Sequence, residues 1–253
     1  MFKTLYTAVL VLIISHTSLV IADTNQSQQL DQETLDFILA TKKGHKIANE
    51  AYDAGDYETA FEFYTVLADK GLDIVEFRLA RMYELGQGTD INLEKAAKLY
   101  ESEVTKNNPE AMFYFARFHF NGLGGVPQDP KNGLRLWYNA ATLDHAESAY
   151  ALGMAMYSVK KKDLGYIEVK RAALLDLPIA QLEMAKIILT NNAPEKESSM
   201  ALAYAWATMA QKEYPEDAKE IQSLIETNYD IDFNEQLKAM MDVTKAVADY
   251  IKP

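Results

Sequence analysis

Five positions spaced 32, 36, 37 and 32 residues apart, Asn49, Arg81, Arg117, Met154 and Lys186, put three cations in one row of a chain whose formal net charge is -12. Phe77, Phe113, Phe120, Tyr150 and Tyr157 stand three or four residues from members of that row. On a helix such spacing keeps side chains on one face. Guanidinium groups grip carboxylates through two parallel hydrogen bonds, and aromatic rings supply contact area at low entropic cost. The chemistry offered is capture of a peptide that carries carboxylates. The competing use of Arg81 and Arg117 is to pair with acids on neighbouring helices, such as Glu84 or Glu110, and stiffen the stack.

Residue patterns for catalysis are missing. His45, His119 and His145 share no i, i+4 spacing, and no His-Glu-x-x-His occurs. His119 falls on the packed face of a helix and reads as a structural histidine. There is no Gly-x-Ser-x-Gly to raise a serine nucleophile. Close carboxylates, as in Glu216-Asp217, suit solvated helix starts. Gly86, Gly88, Gly122, Gly124 and Gly125 precede no Gly-Lys-Ser/Thr, so they read as turns and not as a phosphate cradle. No catalytic, cofactor-binding or metal-binding residue is assigned, and no cofactor.

The elements that must position the row are helical. The 253 residues are 49% apolar, with 11 Gly, 7 Pro and no Cys, so packing alone must stabilise the fold. The acidic balance excludes a phosphate-backbone binder. Residues 1–22 run from Lys3 through an apolar core to Val20-Ile21-Ala22, the layout of a secretory signal peptide cleaved after Ala22. Its loss removes Lys3 and no acid, so -12 becomes -13. That places the protein in a periplasm or outside the cell, with no stable membrane insertion after cleavage; retention as an anchor is the alternative. Residues 23–40 are a polar lead-in and a helix with Asp31 as N-cap and Leu35, Ile38 and Leu39 on its apolar side.

A large apolar residue followed by a small one recurs at Ile47-Ala48, Leu79-Ala80, Phe115-Ala116, Leu152-Gly153 and Met184-Ala185. A second set, Ala68, Val104, Ala141, Ala173 and Ala210, moves with it at intervals of 36, 37, 32 and 37. Two registers that move together define a helix–turn–helix unit used five times, over about 41–72, 73–108, 109–145, 146–177 and 178–213. Tyr64, Tyr100, Trp137 and Trp206 fill the space between pairs. Asn108-Pro109 and Asp129-Pro130 are a cap followed by proline in the first helical position, and Pro178 opens a helix likewise. Beyond 213 the period is lost; Pro215 and the pair Asp232 and Glu235 start two helices. Phe233, Leu237, Met240, Met241, Val247 and Ile251 give the last one an apolar face, so 214–253 read as a cap on the stack.

The stretch from Phe115 to Ala141, with Gly122, Gly124, Gly125, Val126, Asp129, Trp137, Tyr138, Ala140 and Ala141, resembles the Sel1-like repeats, a branch of the tetratricopeptide-type solenoids. Arg81 to Tyr100, with Tyr83, Gly86, Gly88, Asp90, Ala96 and Ala97, is similar. Ala54-Gly55-Asp56-Tyr57 and Lys160-Lys161-Lys162-Asp163 look like the shorter turns of plain tetratricopeptide units. The resemblance covers residues 41–213; it departs at His119, where the family has Tyr, and in the weak second helix of the fourth unit, Tyr166 to Leu174. It implies an all-α, right-handed superhelical solenoid of about five helix pairs with a C-terminal helical cap, as an exported bacterial member. The first helix of each pair would line a concave groove, which would hold Asn49, Arg81, Arg117, Met154, Lys186 and the neighbouring aromatics. The implied role is a scaffold that binds an acidic protein or peptide, with no nucleic acid involved. Two other roles stay open. One is β-lactam hydrolysis, associated with secreted members that have paired cysteines, which this chain lacks; the other is self-association through the C-terminal helix.

Overall fold

The computed structural model describes residues 32–190 and 199–250. The expected signal segment and its cleavage after Ala22, the lead-in up to Asp31, and Ile251 lie outside the described residues. By contacts the chain divides into two units, Met1–Lys43 and Gly44–Pro253. The first is described only from Gln32, as the opening part of a helix, and the repeats occupy the second.

All regular structure among the described residues is helical. Twelve α-helices run in chain order: α1 Gln32–Asp53, α2 Tyr57–Asp69, α3 Glu76–Leu85, α4 Leu93–Thr105, α5 Pro109–Asn121, α6 Pro130–Thr142, α7 Ala146–Ser158, α8 Lys162–Leu174, α9 Pro178–Leu189, α10 Met200–Ala210, α11 Pro215–Asn228 and α12 Phe233–Tyr250. From α2 to α11 each helix packs on the next, and α12 returns to α10 and α8. The expected lead-in helix and the first helix of the first unit are one continuous helix, α1.

Local chemistry explains the boundaries. Asp56, Asn92, Asn108 and Asp129 each accept the backbone N–H of the residue three positions on, which satisfies a donor the helix leaves open. Pro109, Pro130, Pro178 and Pro215 hold first-turn positions, where the missing N–H costs nothing. Asp232 accepts from Asn234 and Glu235 ahead of α12. Between units the chain turns through a left-handed residue: Gly71, Asn107, Asp144 and Asp176 have φ of 83°, 61°, 58° and 62°. Only Gly, Asn and Asp tolerate that conformation readily, and these four sit at one register of the repeat.

Packing follows the small residues. Ala48, Ala80, Ala116 and Ala185 are fully buried and Gly153 is buried with them. In the second register Ala141, Ala173 and Ala210 are buried, whereas Ala68 and Val104 are half-buried. Tyr64, Tyr100 and Trp206 fill the interior, and Trp137 is half-buried. The fourth unit is a full helix pair in which α7 and α8 meet through glycine. A Cβ on Gly153 would lie 3.0 Å from the Gly165 carbonyl oxygen, and one on Gly165 would lie 2.7 Å from the Tyr157 ring.

The C-terminal helices join the core of the fifth pair. Ile221 and Ile225 of α11 and Val243 and Val247 of α12 share an interior with Ala203, Trp206, Ala207 and Ala210. The apolar stripe of α12 is narrower than its sequence suggests: Met240 is half-buried, but Leu237 and Met241 face solvent. Residues 240, 243 and 247 follow helical spacing, and positions 237 and 241 are turned away from that line.

Candidate partner-binding surface

Arg81 lies on α3 and Arg117 on α5, one repeat later, and both reach the same carboxylate. Glu84, one turn after Arg81, has a side chain only 3% exposed. Arg81 Nη1 donates to Glu84 Oε2 at 2.9 Å, and Arg117 Nη2 pairs with Glu84 Oε1. Tyr100 O–H donates to Glu84 Oε2 at 2.6 Å, which ties α4 into the cluster. Burial raises the Tyr100 pKa well above the usual phenol range, outweighing the opposing pull of Arg81, so the hydroxyl stays a donor. Arg81 Cζ also lies over the Tyr114 ring, 4.0 Å from its centroid.

Two guanidinium groups therefore share one buried carboxylate and leave one positive charge in excess. Arg117 carries it outward, with half of its side chain exposed. Burial and the charge of Arg81 both lower its pKa. A second acid placed against Arg117 would relieve that repulsion.

Phe77 joins this cluster, 6.1 Å from Tyr100 and 5.9 Å from Tyr114 between ring centroids. Phe113 and Phe120 form a neighbouring group around Trp137, at 6.4 and 4.5 Å. Tyr150, Tyr157 and Met154 pack half-buried on the core of the later repeats. Burial, with Glu183 adding to it, raises the pKa of both tyrosines, that of Tyr157 to about 12. Asn49 accepts a 2.6 Å hydrogen bond from Tyr64, and Lys186 lies 3.9 Å from Asp217 on α11. Arg81, Arg117 and Phe77 are thus brought together, while the remaining positions of the row engage other neighbours.

Tyr100 and Tyr114 complete the cluster and were not among the groove candidates. The i, i+3 spacing of Arg81 and Glu84 is a sequence signal, as is the recurrence of Tyr64 and Tyr100 at one register. The stacking of Arg81 on Tyr114 has no such signal. Among the described residues no three His, Cys, Asp or Glu side chains are placed to hold a metal ion, and no helix is long and apolar enough to cross a membrane.

Consecutive helix pairs, each closed on a small residue and linked by left-handed turns, define an α-solenoid repeat protein. Residues 75–102 and 109–145 match the Sel1 repeat. A Sel1 repeat protein from Oxalobacter formigenes superposes with a TM-score of 0.62 at 16% identity, covering 80% of this chain and 85% of that one. A protective antigen of uropathogenic Escherichia coli with the same fold gives 0.60 at 19% identity, over 87% and 49% of the two chains. By sequence the chain is 37% identical to chitin synthase regulatory factor 2 of Schizosaccharomyces pombe over 83 residues, 32% of this chain and 16% of that protein. It is 30% identical to protein SHC1 of Saccharomyces cerevisiae over 104 residues, 38% and 20% of the two. The matched segments thus span a fifth or less of these curated relatives, which are fungal.

Proposed function

We propose that the chain is a non-enzymatic scaffold that holds an acidic segment of a protein partner against the first-helix register, with Arg81 and Arg117 as its charged centre. The carrying observation is the pair of arginines from successive repeats fixed by one buried carboxylate, with Arg117 half exposed. Glu84 sets both guanidinium groups in place before a partner arrives, which lowers the entropy lost on binding. Phe77, Phe113 and Phe120 would supply apolar contact beside them, and Asn49, Met154, Lys186, Tyr150 and Tyr157 would extend the surface along the stack. The likeness to chitin synthase regulatory factor 2 supports a role exerted through contact. The signal-like segment supports export, to a bacterial periplasm or beyond the cell, so the partner belongs in the envelope or secreted fraction.

Crosslinking and affinity capture of the tagged chain from that fraction identifies a partner, and calorimetry with the purified pair tests the site. R117Q removes the half-exposed charge and leaves Arg81 on Glu84, so it is expected to weaken binding at least tenfold with helicity intact. E84Q retains both positive charges but frees their orientation, so it should weaken binding less than R117Q while losing about 2 kcal/mol of stability from a charged hydrogen bond. Equal affinity of R117Q and the wild type would overturn the proposal and leave those side chains a structural role.

A further inference from the structure

A second surface lies apart from that row. A cleft of about 600 Å³ opens between α4, the turn after α5, and α6. None of the ten groove candidates lines it. Its floor includes Phe115 and Leu136, 6% and 4% exposed, which belong to the core of the second and third repeats. Its rim is charged, with Lys98 between Glu94 and Glu101 on the α4 wall and Arg135 on the α6 wall.

The α6 wall holds a directed chain of hydrogen bonds. Arg135 grips Asn132 Oδ1 with both Nε and Nη2, at 3.0 and 2.6 Å. The Asn132 amide nitrogen then faces His119 and donates to its Nε2 at 2.9 Å. His119 is steadied in turn by an edge-on contact with Phe115, 5.0 Å between centroids. Arg135, which lines the cleft, is thereby engaged by a neutral residue. Among the described residues it has no carboxylate within ion-pair distance, in a chain with twelve more negative than positive charges.

We infer that this cleft is a second docking site, which takes an extended peptide segment that lays an apolar side chain on Phe115 and Leu136 and presents an adjacent carboxylate to Arg135. The open shape suits an extended chain, which needs access along its length. A guanidinium without an acidic partner, in the same cleft as an apolar floor, selects an acid next to an aliphatic residue. Glu94 and Glu101 on the facing wall repel a uniformly acidic segment, so one carboxylate beside the apolar anchor fits better than a run of them. The inference is independent of the Arg81 and Arg117 reading, because it uses other residues on another face.

The test is a titration of the full chain, labelled with nitrogen-15 and followed by NMR, with the blocked tetrapeptide acetyl-Ala-Leu-Asp-Ala-amide. Controls replace the peptide Asp by Lys or its Leu by Ser. Saturable shifts are expected at the amides of Gly124, Gly125 and Val126 and at the Arg135 side chain, with both controls at least fivefold weaker. R135Q should weaken binding at least fivefold with an unchanged melting curve. H119F keeps a ring against Phe115, removes the acceptor for Asn132, and should weaken binding too. Absence of saturable shifts at those amides, equal response to the Lys peptide, or unchanged affinity in R135Q would each overturn the assignment. Shifts centred on Arg81 and Arg117 would do the same, while supporting the first surface.

Discussion

The head of α7 is capped by an imidazole, where the other early repeats use a carboxylate or an amide. His145 Nδ1 accepts the Ser148 backbone N–H at 3.2 Å and lies 2.9 Å from the Ser148 hydroxyl. Only an unprotonated Nδ1 can accept, so the cap needs the neutral ring. Burial lowers the His145 pKa, and Glu147 and Glu110 oppose it less strongly. A histidine whose folded pKa lies below its unfolded value binds fewer protons when folded. Its stabilising effect is therefore complete above the ordinary value of about 6.5 and is lost as pH falls through and below it. Melting temperature should accordingly drop between pH 7.5 and 5. H145N keeps a cap without a titrating group, and its melting temperature should fall less over the same range. Burial and Arg78 lower the His45 pKa as well, so part of the dependence remains in H145N. Parallel curves for the two proteins would show that the cap is indifferent to protonation. The same scale explains the paired arginines, since a carboxylate as buried as Glu84 needs positive charge close beside it.

At the scale of the elements, the glycine turns anchor one repeat to the one before it. Gly124 has φ of 60°, and a Cβ there would lie 2.2 Å from the carbonyl oxygen of Leu93, the first residue of α4. Gly88 stands in the same relation to Tyr57, the first residue of α2, at 2.0 Å. Gly125 has φ of 80° but open space where a Cβ would go. Alanine at 125 should cost about 1 kcal/mol for the left-handed backbone alone. Alanine at 124 adds a backbone collision and should cost at least about 3 kcal/mol. Urea unfolding of G124A and G125A measures the difference, and equal losses would refute the anchoring role. Much of this was legible beforehand. The two registers of small residues, the prolines at 109, 130, 178 and 215, and the turn glycines all express local rules that survive folding. The fourth unit was harder because α8 meets α7 through Gly165, a residue that weakens a helix taken alone. The left-handed row of Gly71, Asn107, Asp144 and Asp176 went unread, since three residue types share one backbone requirement. Of the site, the row of cations and the i, i+3 acid were visible. The stacking of Arg81 on Tyr114 and the chain from Arg135 to His119 depend on how neighbouring repeats are rotated against each other, which no local pattern encodes.

For the repeat array as a whole, stability is a sum over neighbours, because each pair buries surface only against the pairs beside it. Beyond the first repeat, many of the buried residues of the described chain gather in two clusters. One runs from Ala80 to Ala140, and the other from Ala141 to Val247. They adjoin within α6, at two consecutive alanines that project from that helix about 100° apart. A defect in the second cluster should therefore loosen α8 to α12 and spare α3 to α5. Met184 on α9 is fully buried in that cluster. M184A removes packed atoms and leaves a cavity, which costs about 2–5 kcal/mol. Hydrogen exchange read by mass spectrometry should show faster exchange from α8 to α12, with α3 to α5 within error of the wild type. Uniform acceleration across all of them would mean that the array opens as one unit, and a charge change at Arg81 would then be felt as far as α12. If exchange divides as expected, the Arg81 and Arg117 surface and the Arg135 cleft both sit on the earlier cluster. Their geometry would then survive damage to the later repeats, and a partner held by either surface would still bind M184A.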